Sequence, residues 1–568
     1  MKRTATTLAA LFAALSAFAQ HDGYVTGSIE SNSIQYAKDE ATGAVLPEDR
    51  FGSNNYAKVD AFWGNFSAGF QIEGYMPVLQ GFSPYLEGIA LTSKYAAYNA
   101  DGWSVRLGNF YGQFGSGLLF RSWEDRDLGF NNSLEGIDIA YNWNGAVSVR
   151  AICGRPRFGM EVKDVWVRGA DANLSVAQLL GMQAFDIDLG ASYVDRYEEG
   201  GWSPDARLNV GGYSARAGLG WNGLSLKGEY VTRASNETSE DAQGAQAILA
   251  ELGYSGHGLG ITATFRKMSN MVFGMSRDSA DGMYEIINYT PALSQQYTYT
   301  LTTLNPYSSH PINEIGGQVD VSYNFRRGTL LGGKRGMKIH ANYSQWHGPS
   351  NAYTGEGDSI LYFRDASIDI DKSFSSKLKL KALYSFQSYN PALKAPNHLG
   401  EEMWNSHIVV FDILYKFDKK QSLRTEIQHL ATKKNIIEGD SYNRFRSNWL
   451  SGLLEYNIAP AWSIYIQDSW NYGNDEQRLH YYNGGFSYSR SNVRADLSYG
   501  RYMEGYICSG GVCPHYPCLH RCQPQIHLHF LVYEKDFHRP CGKPHSCCFA
   551  ICTAADPCQL EDRSRVSR

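Results

Sequence analysis

From Ile137 to Ala151 apolar and polar side chains alternate across a two-residue turn. Ile137, Ile139, Tyr141 and Trp143 stand against Asp138, Ala140 and Asn142; Asn144-Gly145 follows, and Val147, Val149 and Ala151 continue the pattern. A period of two gathers the apolar residues on one face of an extended strand, whereas a helix of about 3.6 residues per turn would scatter them. Asn-Gly supplies the positive φ that a two-residue hairpin demands. The same plan recurs along the chain. Tyr56 to Trp63 and Phe66 to Tyr75 turn at Gly64-Asn65, Asp101-Gly102 joins the next pair, and Asn222-Gly223 joins Ala215 to Trp221 with Leu224 to Val231. Later turns fall at Phe374 to Ser376, Asp418 to Gln421, Ala459 to Ala461 and Arg490-Ser491.

A soluble antiparallel sandwich would alternate in the same way, so period two alone leaves two architectures open. Three further features favour a transmembrane β-barrel. Residues 1–19 form a secretory signal: Lys2 and Arg3, an apolar run from Leu8 to Leu15, and Ala17 and Ala19 on either side of Phe18. Aromatic residues, 38 of them Tyr, crowd the strand ends, where a bilayer meets water. Short turns also interleave strictly with long polar loops, as in barrels with one short-turn rim and one long-loop rim. The expected fold is all-β: one large antiparallel barrel over residues 20–513, with 23 strands up to Tyr502 and about 24 when intact.

The end of the chain breaks the pattern. Seven of the ten Cys and six of the fifteen His lie from Pro514 onward, without alternation. Their spacing fits no standard zinc pattern, and a disulfide module is the other direct reading. Reading the codons behind Pro514 to Leu531 one nucleotide later permits RTIPAYTGANLKFTYTF followed by a stop, an amphipathic strand ending in phenylalanine. Residues 514–568 are therefore read as an unstructured, frame-shifted tail that replaces the last strand and leaves the first without its closing partner. Unpaired backbone in lipid is costly.

The net charge of −5 with both signs interspersed offers no basic stripe for nucleic acid. Gly328 to Lys334 has phosphate-loop spacing but continues with Arg335 where Ser or Thr must reach the metal, so it reads as a polar turn. No catalytic or metal-ligand motif emerges; no enzyme activity, metal or cofactor is expected.

Candidate functional residues are lumenal. Gly108, Gly112, Gly115 and Gly117 lie close together, and glycine within a strand marks a bulge or close approach. That wall can bend inward and carry Arg121, Glu124, Asp125, Arg126 and Asp127 toward the lumen; the alternative is a solvated outer loop. Alternation places Arg150, Arg424, Glu426, Gln428, Arg494 and Asp496 opposite lipid-facing residues, where they line a pore or pair across a filled lumen. Asn288 to Gln318, with Tyr297, is too long and too aromatic for a plain connection and is a candidate constriction. Cys508 and Cys513 are near enough for a loop disulfide in an oxidising compartment.

The segments GNFYGQFGSGLLFR, NYTPALSQQYTYTLTTLNPY, RTEIQHLATK and YGRYMEGYICSGGVC resemble motifs of an outer-membrane family of unknown function from Bacteroidota, over roughly Asp22 to Cys513. The resemblance implies a bacterial outer-membrane barrel and brings no substrate. At this size the lumen exceeds what wall side chains fill, so a porin-like channel for passive or gated passage of small solutes is the leading expectation. The other is a non-conducting barrel that binds or assembles secreted proteins or lipoproteins. Outer-membrane lipid and the barrel-assembly machinery are the expected partners, and the oligomeric state stays open.

Overall fold

The computed structural model describes residues 23–42, 46–200, 207–235, 244–279, 284–352, 354–393, 400–433, 441–476 and 478–503, and the backbone of 505–506, 515–516 and 519–533. The signal segment, Cys508, Cys513 and residues 534–568 lie outside them. Among the described residues 25 strands share one sheet. One of these, Glu161–Val162, pairs only with the end of Val147–Phe158; the others form a closed antiparallel ring of 24. Twenty-three of the 24 lie between Gly23 and Tyr502, as the alternation implied.

The ring closes where an open edge was expected. Leu519–Tyr533 pairs with Gly23–Ala37 from Tyr24↔Tyr533 to Ala37↔His520, and with Val493–Tyr502 on its other side. This stretch of the tail is a strand, and the first strand has a partner on both edges. The physical reason is that ladder hydrogen bonds use only backbone groups, so the irregular half Leu519 to Gln525 can still pair, while Ile526, Leu528, Phe530 and Val532 recur with the period of two that the tail was read as lacking.

Turns sort to opposite rims. On one rim Asp101, Asn144, Asn222 and His257 have φ between 45° and 53°, and each precedes a glycine that also has positive φ. This is the mirror-image turn whose twist suits a two-residue hairpin. The long connections, such as 38–50, 111–133, 270–312 and 433–448, leave the other rim. Gly23 aligns with Trp63, and Tyr533 with Tyr24, so both ends of the ring lie on the short-turn rim.

The two faces are inverted relative to a soluble sheet. Leu107, Ile248, Ile427 and Ile466 point outward and are 45–61% exposed. Trp63, Trp103, Trp143, Trp221 and Trp462 are exposed where strands meet the short turns. Ser344, Asp365, Ser385, Gln387 and Gln428 point inward and are buried. Exposing one large aliphatic side chain to water costs roughly 1.5–3 kcal/mol, so a full belt of them requires lipid. This excludes the sandwich.

Candidate functional site

Two loops from the long-loop rim fold back into the ring and meet there. The first, 111–133, is carried inward by glycines. Gly108 has φ +94°, and a Cβ there would lie 2.2 Å from the Lys94 carbonyl oxygen, so only glycine fits the crossing. Gly115 has φ +54° and rests on the wall, where a Cβ would come within 2.4 Å of Glu229 Oε1. Beside it the Ser116 amide donates to Glu229 Oε2 at 2.9 Å. Phe114, Leu118, Leu119 and Phe120 are buried against the inward-facing Val167, Val194, Val210, Val231 and Met268.

The second loop, 270–312, crosses the other half of the lumen. Tyr299, Leu301, Leu304 and Tyr307 are buried with Trp346, Tyr362, Phe363, Ile408 and Val410. Polar wall side chains hold its backbone and hydroxyls. The Tyr297 hydroxyl donates to the Asp365 carboxylate, lying 3.0 and 2.8 Å from its two oxygens, and sits 3.1 Å from Ser385 Oγ, which itself donates to Asp365. The Leu301 amide donates to Gln428 Oε1 at 2.9 Å, Gln387 donates to the Thr302 carbonyl at 3.0 Å, and Gln467 donates to Thr300 Oγ1 at 2.7 Å. Burial pushes the Tyr297, Tyr299 and Tyr307 hydroxyls above their usual pKa, so they act as neutral donors. At the loop's base Arg266 and Glu314, 2% and 0% exposed, pair at 2.8 Å. Glu314 also accepts from the Tyr307 hydroxyl at 2.5 Å and from the His310 amide at 2.9 Å.

The loops are hydrogen-bonded to each other. The Arg121 amide donates to the Ile287 carbonyl and the Tyr289 amide to the Gly117 carbonyl, each at 2.9 Å. Asn288, 2% exposed, donates to the Leu118 and Met271 carbonyls at 3.0 and 2.6 Å and accepts from the Phe273 amide at 3.1 Å. Arg121 stacks its guanidinium 3.9 Å from the Tyr289 ring centre. Together the loops form one plug fixed to the wall on both sides.

The residues singled out from sequence fall into three groups. Arg121 lies at the junction and Tyr297 on the wall contact. Glu124 and Arg126 form a network with Gln71 and Glu30, Arg126 meeting Glu30 at 2.7 Å and Gln71 at 2.9 Å; Asp125 caps its own turn through the Asp127 and Leu128 amides, and Asp127 is exposed. The wall residues form ion-pair ladders: Arg150 with Asp138 at 2.8 Å, Arg424 with Asp412, Glu426 and Glu455, and Arg494 with Asp496 at 2.8 Å. Gln428 touches both Glu426 and the plug. The 111–133 segment is thus not the solvated outer loop that was the alternative reading, and the constriction ends before Asn313, where the strand Asn313–Phe325 begins.

Sequence reasoning named Asn288 only as the start of the constriction, and it missed Asp365, Glu229 and the Arg266–Glu314 pair. Asp365 and Glu229 stand at alternating inward positions and were legible as wall residues, but their partners come from loops distant in sequence. Next to the first loop, toward the short-turn side, a recess of 510 Å³ is lined in part by Ser116, Asp188, Arg216, Lys227, Glu229 and Glu251, with acids in excess.

A closed antiparallel ring with an apolar outside, aromatic strand ends and a polar lumen into which two of its own loops fold defines a transmembrane β-barrel of the outer-membrane type. The chain belongs to DUF6029, a family of unknown function whose profile matches residues 1–530. No curated protein matches the sequence. Among solved structures the chain is similar to the P pilus usher (PapC) translocation pore, with 8% identity, 89% of this chain and 99% of that one covered, and a TM-score of 0.44. It is similar also to the siderophore receptor PirA from Pseudomonas aeruginosa, with 9% identity, 89% and 80% coverage, and a TM-score of 0.42. For the outer membrane protein opdK from Pseudomonas aeruginosa the figures are 10%, 69% and 98%, and 0.36.

Proposed function

We propose that the protein is a gated channel of the bacterial outer membrane. Its lumen is closed at rest by the joined loops 111–133 and 270–312, and small solutes pass when the plug shifts. The observation that carries this reading is the way the plug is held. Its hydrophobic residues face the wall, while its tyrosine hydroxyls and backbone amides meet single polar side chains such as Asp365, Gln428 and Glu229. Contacts of this kind exchange readily with water. A ring of 24 strands is wider than side chains alone can fill, so the plug determines whether the barrel conducts. On this reading the short turns face the periplasm, the barrel-assembly machinery inserts the chain, and no chemical step is involved.

The test is conductance of the purified protein across a planar lipid bilayer, with residues 289–311 present or replaced by a short glycine-serine linker. Rare or no steps in the intact form and large stable steps in the deleted form are expected. Silence in both forms, for a barrel that resists unfolding in detergent, would refute the channel and favour a barrel that binds or assembles a partner.

A further inference from the structure

Two short-rim connections are longer than the other turns: 176–184, which carries no charged residue, and 326–336. Residues 326–336, between Asn313–Phe325 and Met337–Asn351, carry Arg326, Arg327, Lys334 and Arg335 with no acidic residue. Leu330 is 99% exposed and Leu331 52%. The segment is folded. The Gly328 amide donates to the Gly333 carbonyl and the Gly333 amide to the Thr329 carbonyl, each at 2.7 Å, and Thr329 Oγ1 donates to the Arg326 carbonyl at 2.8 Å. A free surface loop has no need of such bonding to display two leucines.

The direction in which it leans identifies its surroundings. Lys372 stands on the same face as the outward-facing Ile368 and Ile370, 45% and 38% exposed, and its ammonium donates to the Leu331 and Gly332 carbonyls at 2.6 and 2.7 Å. The loop is therefore tied over the lipid side of the wall and away from the lumen. All four cations are solvent-exposed. The neighbouring short turns continue the pattern: Phe374 and Phe417 are 58% and 44% exposed, and Lys377, Lys419 and Lys420 stand beside them. The turns at Gly64-Asn65, Asn144-Gly145 and Asn222-Gly223 carry no charge.

We propose that the 326–336 loop is an anchor for anionic phospholipid headgroups of the leaflet at the short-turn rim. Leu330 and Leu331 enter the acyl boundary, and Arg326, Arg327, Lys334 and Arg335 contact the phosphates. Basic side chains beside exposed apolar ones match an anionic bilayer surface, since each cation near such a surface strengthens binding about fivefold. The inference rests on the membrane-barrel reading but not on conductance.

The test is native mass spectrometry of the full chain released from mixed micelles holding equal amounts of phosphatidylglycerol and phosphatidylcholine. The wild type should retain phosphatidylglycerol over phosphatidylcholine by at least about tenfold. That preference should fall to near unity in the variant carrying R326Q, R327Q, K334Q and R335Q, and remain in K94Q/R155Q, which changes outward cations elsewhere on the wall. Resistance to detergent unfolding checks that each barrel is folded; failure to fold at all would strike the membrane-barrel reading itself. Equal retention of the two lipids by the folded wild type, or an unchanged preference in the fourfold variant, would overturn the proposal. So would loss of an acidic protein partner in that variant with lipid preference intact, which would make the loop a protein-docking site.

Discussion

Asn288→Ala should open the channel without unfolding the barrel. Asn288 makes three hydrogen bonds at the junction: two donated to the Leu118 and Met271 carbonyls and one accepted from the Phe273 amide. Removing the side chain leaves these three backbone groups in a site where Asn288 itself is 2% exposed. An unsatisfied buried polar group costs about 1–3 kcal/mol, and lumenal water will reach some of them, so the lower end applies to each and the total is about 3 kcal/mol. At about 1.4 kcal/mol per tenfold, the ratio of closed to open plug falls about a hundredfold. The ring itself loses nothing, since no ladder bond involves residue 288. Single-channel recording should show the open probability rising by up to two orders of magnitude, while the temperature at which the barrel unfolds in detergent stays the same. Gln296→Ala, at an exposed position whose side chain bonds only within its own loop, is the control and should leave gating unchanged. An unaltered open probability in folded Asn288→Ala, or an equal rise in the control, would refute the idea that the junction holds the plug shut.

Tyr297→Phe removes the hydroxyl that meets both oxygens of Asp365, a carboxylate with 0% exposure. It should weaken the plug by about 1.5–3 kcal/mol, seen as faster hydrogen exchange across 289–311 than across the strands. Burial holds the His310 imidazole below its ordinary pKa, although nearby Glu314 pulls the other way. A base kept neutral in the closed form contributes stability that is complete above its ordinary value of about 6.5 and is lost as pH falls below it. Open probability should therefore rise between about pH 7.5 and pH 5, and His310→Gln should flatten that rise; a flat wild-type profile counts against it. Because acids exceed bases around the 510 Å³ recess, the form lacking 289–311 should pass cations in preference to anions, read as the sign of the reversal potential in a salt gradient. Resequencing the gene across the codon for Cys513 tests the frame-shift: an intact frame would remove it, and a shifted frame should end in a phenylalanine-terminated strand.

Much of the wall was legible because a strand's side chains obey a local rule. Ile137 to Trp143, Leu378 to Phe386 and Leu423 to Ile427 alternate so cleanly that inward and outward residues can be assigned one by one, and Arg150, Arg424, Glu426 and Gln428 meet lumenal partners in consequence. Asn-Gly and Asp-Gly marked the short rim because their backbone preferences need no distant partner. The closing strand was illegible for the opposite reason. In Leu519–Tyr533 only Ile526, Leu528, Phe530 and Val532 keep a period of two, with His527 and His529 between them, and the strand's position is set by two neighbouring edges that both need backbone partners.

The amino-acid order alone thus determined the class of object, the strand count to Tyr502, the two rims and the face on which each wall residue stands, because these follow from period two and turn chemistry within a few residues. Tertiary structure alone decided that 111–133 and 270–312 fold inward and meet at Asn288. Those contacts join residues as far apart as Leu118 and Asn288, or Ser116 and Glu229. No local preference encodes them; they form only once the closed ring supplies an enclosed polar wall on which the loops can satisfy their backbone groups and bury their aromatic side chains.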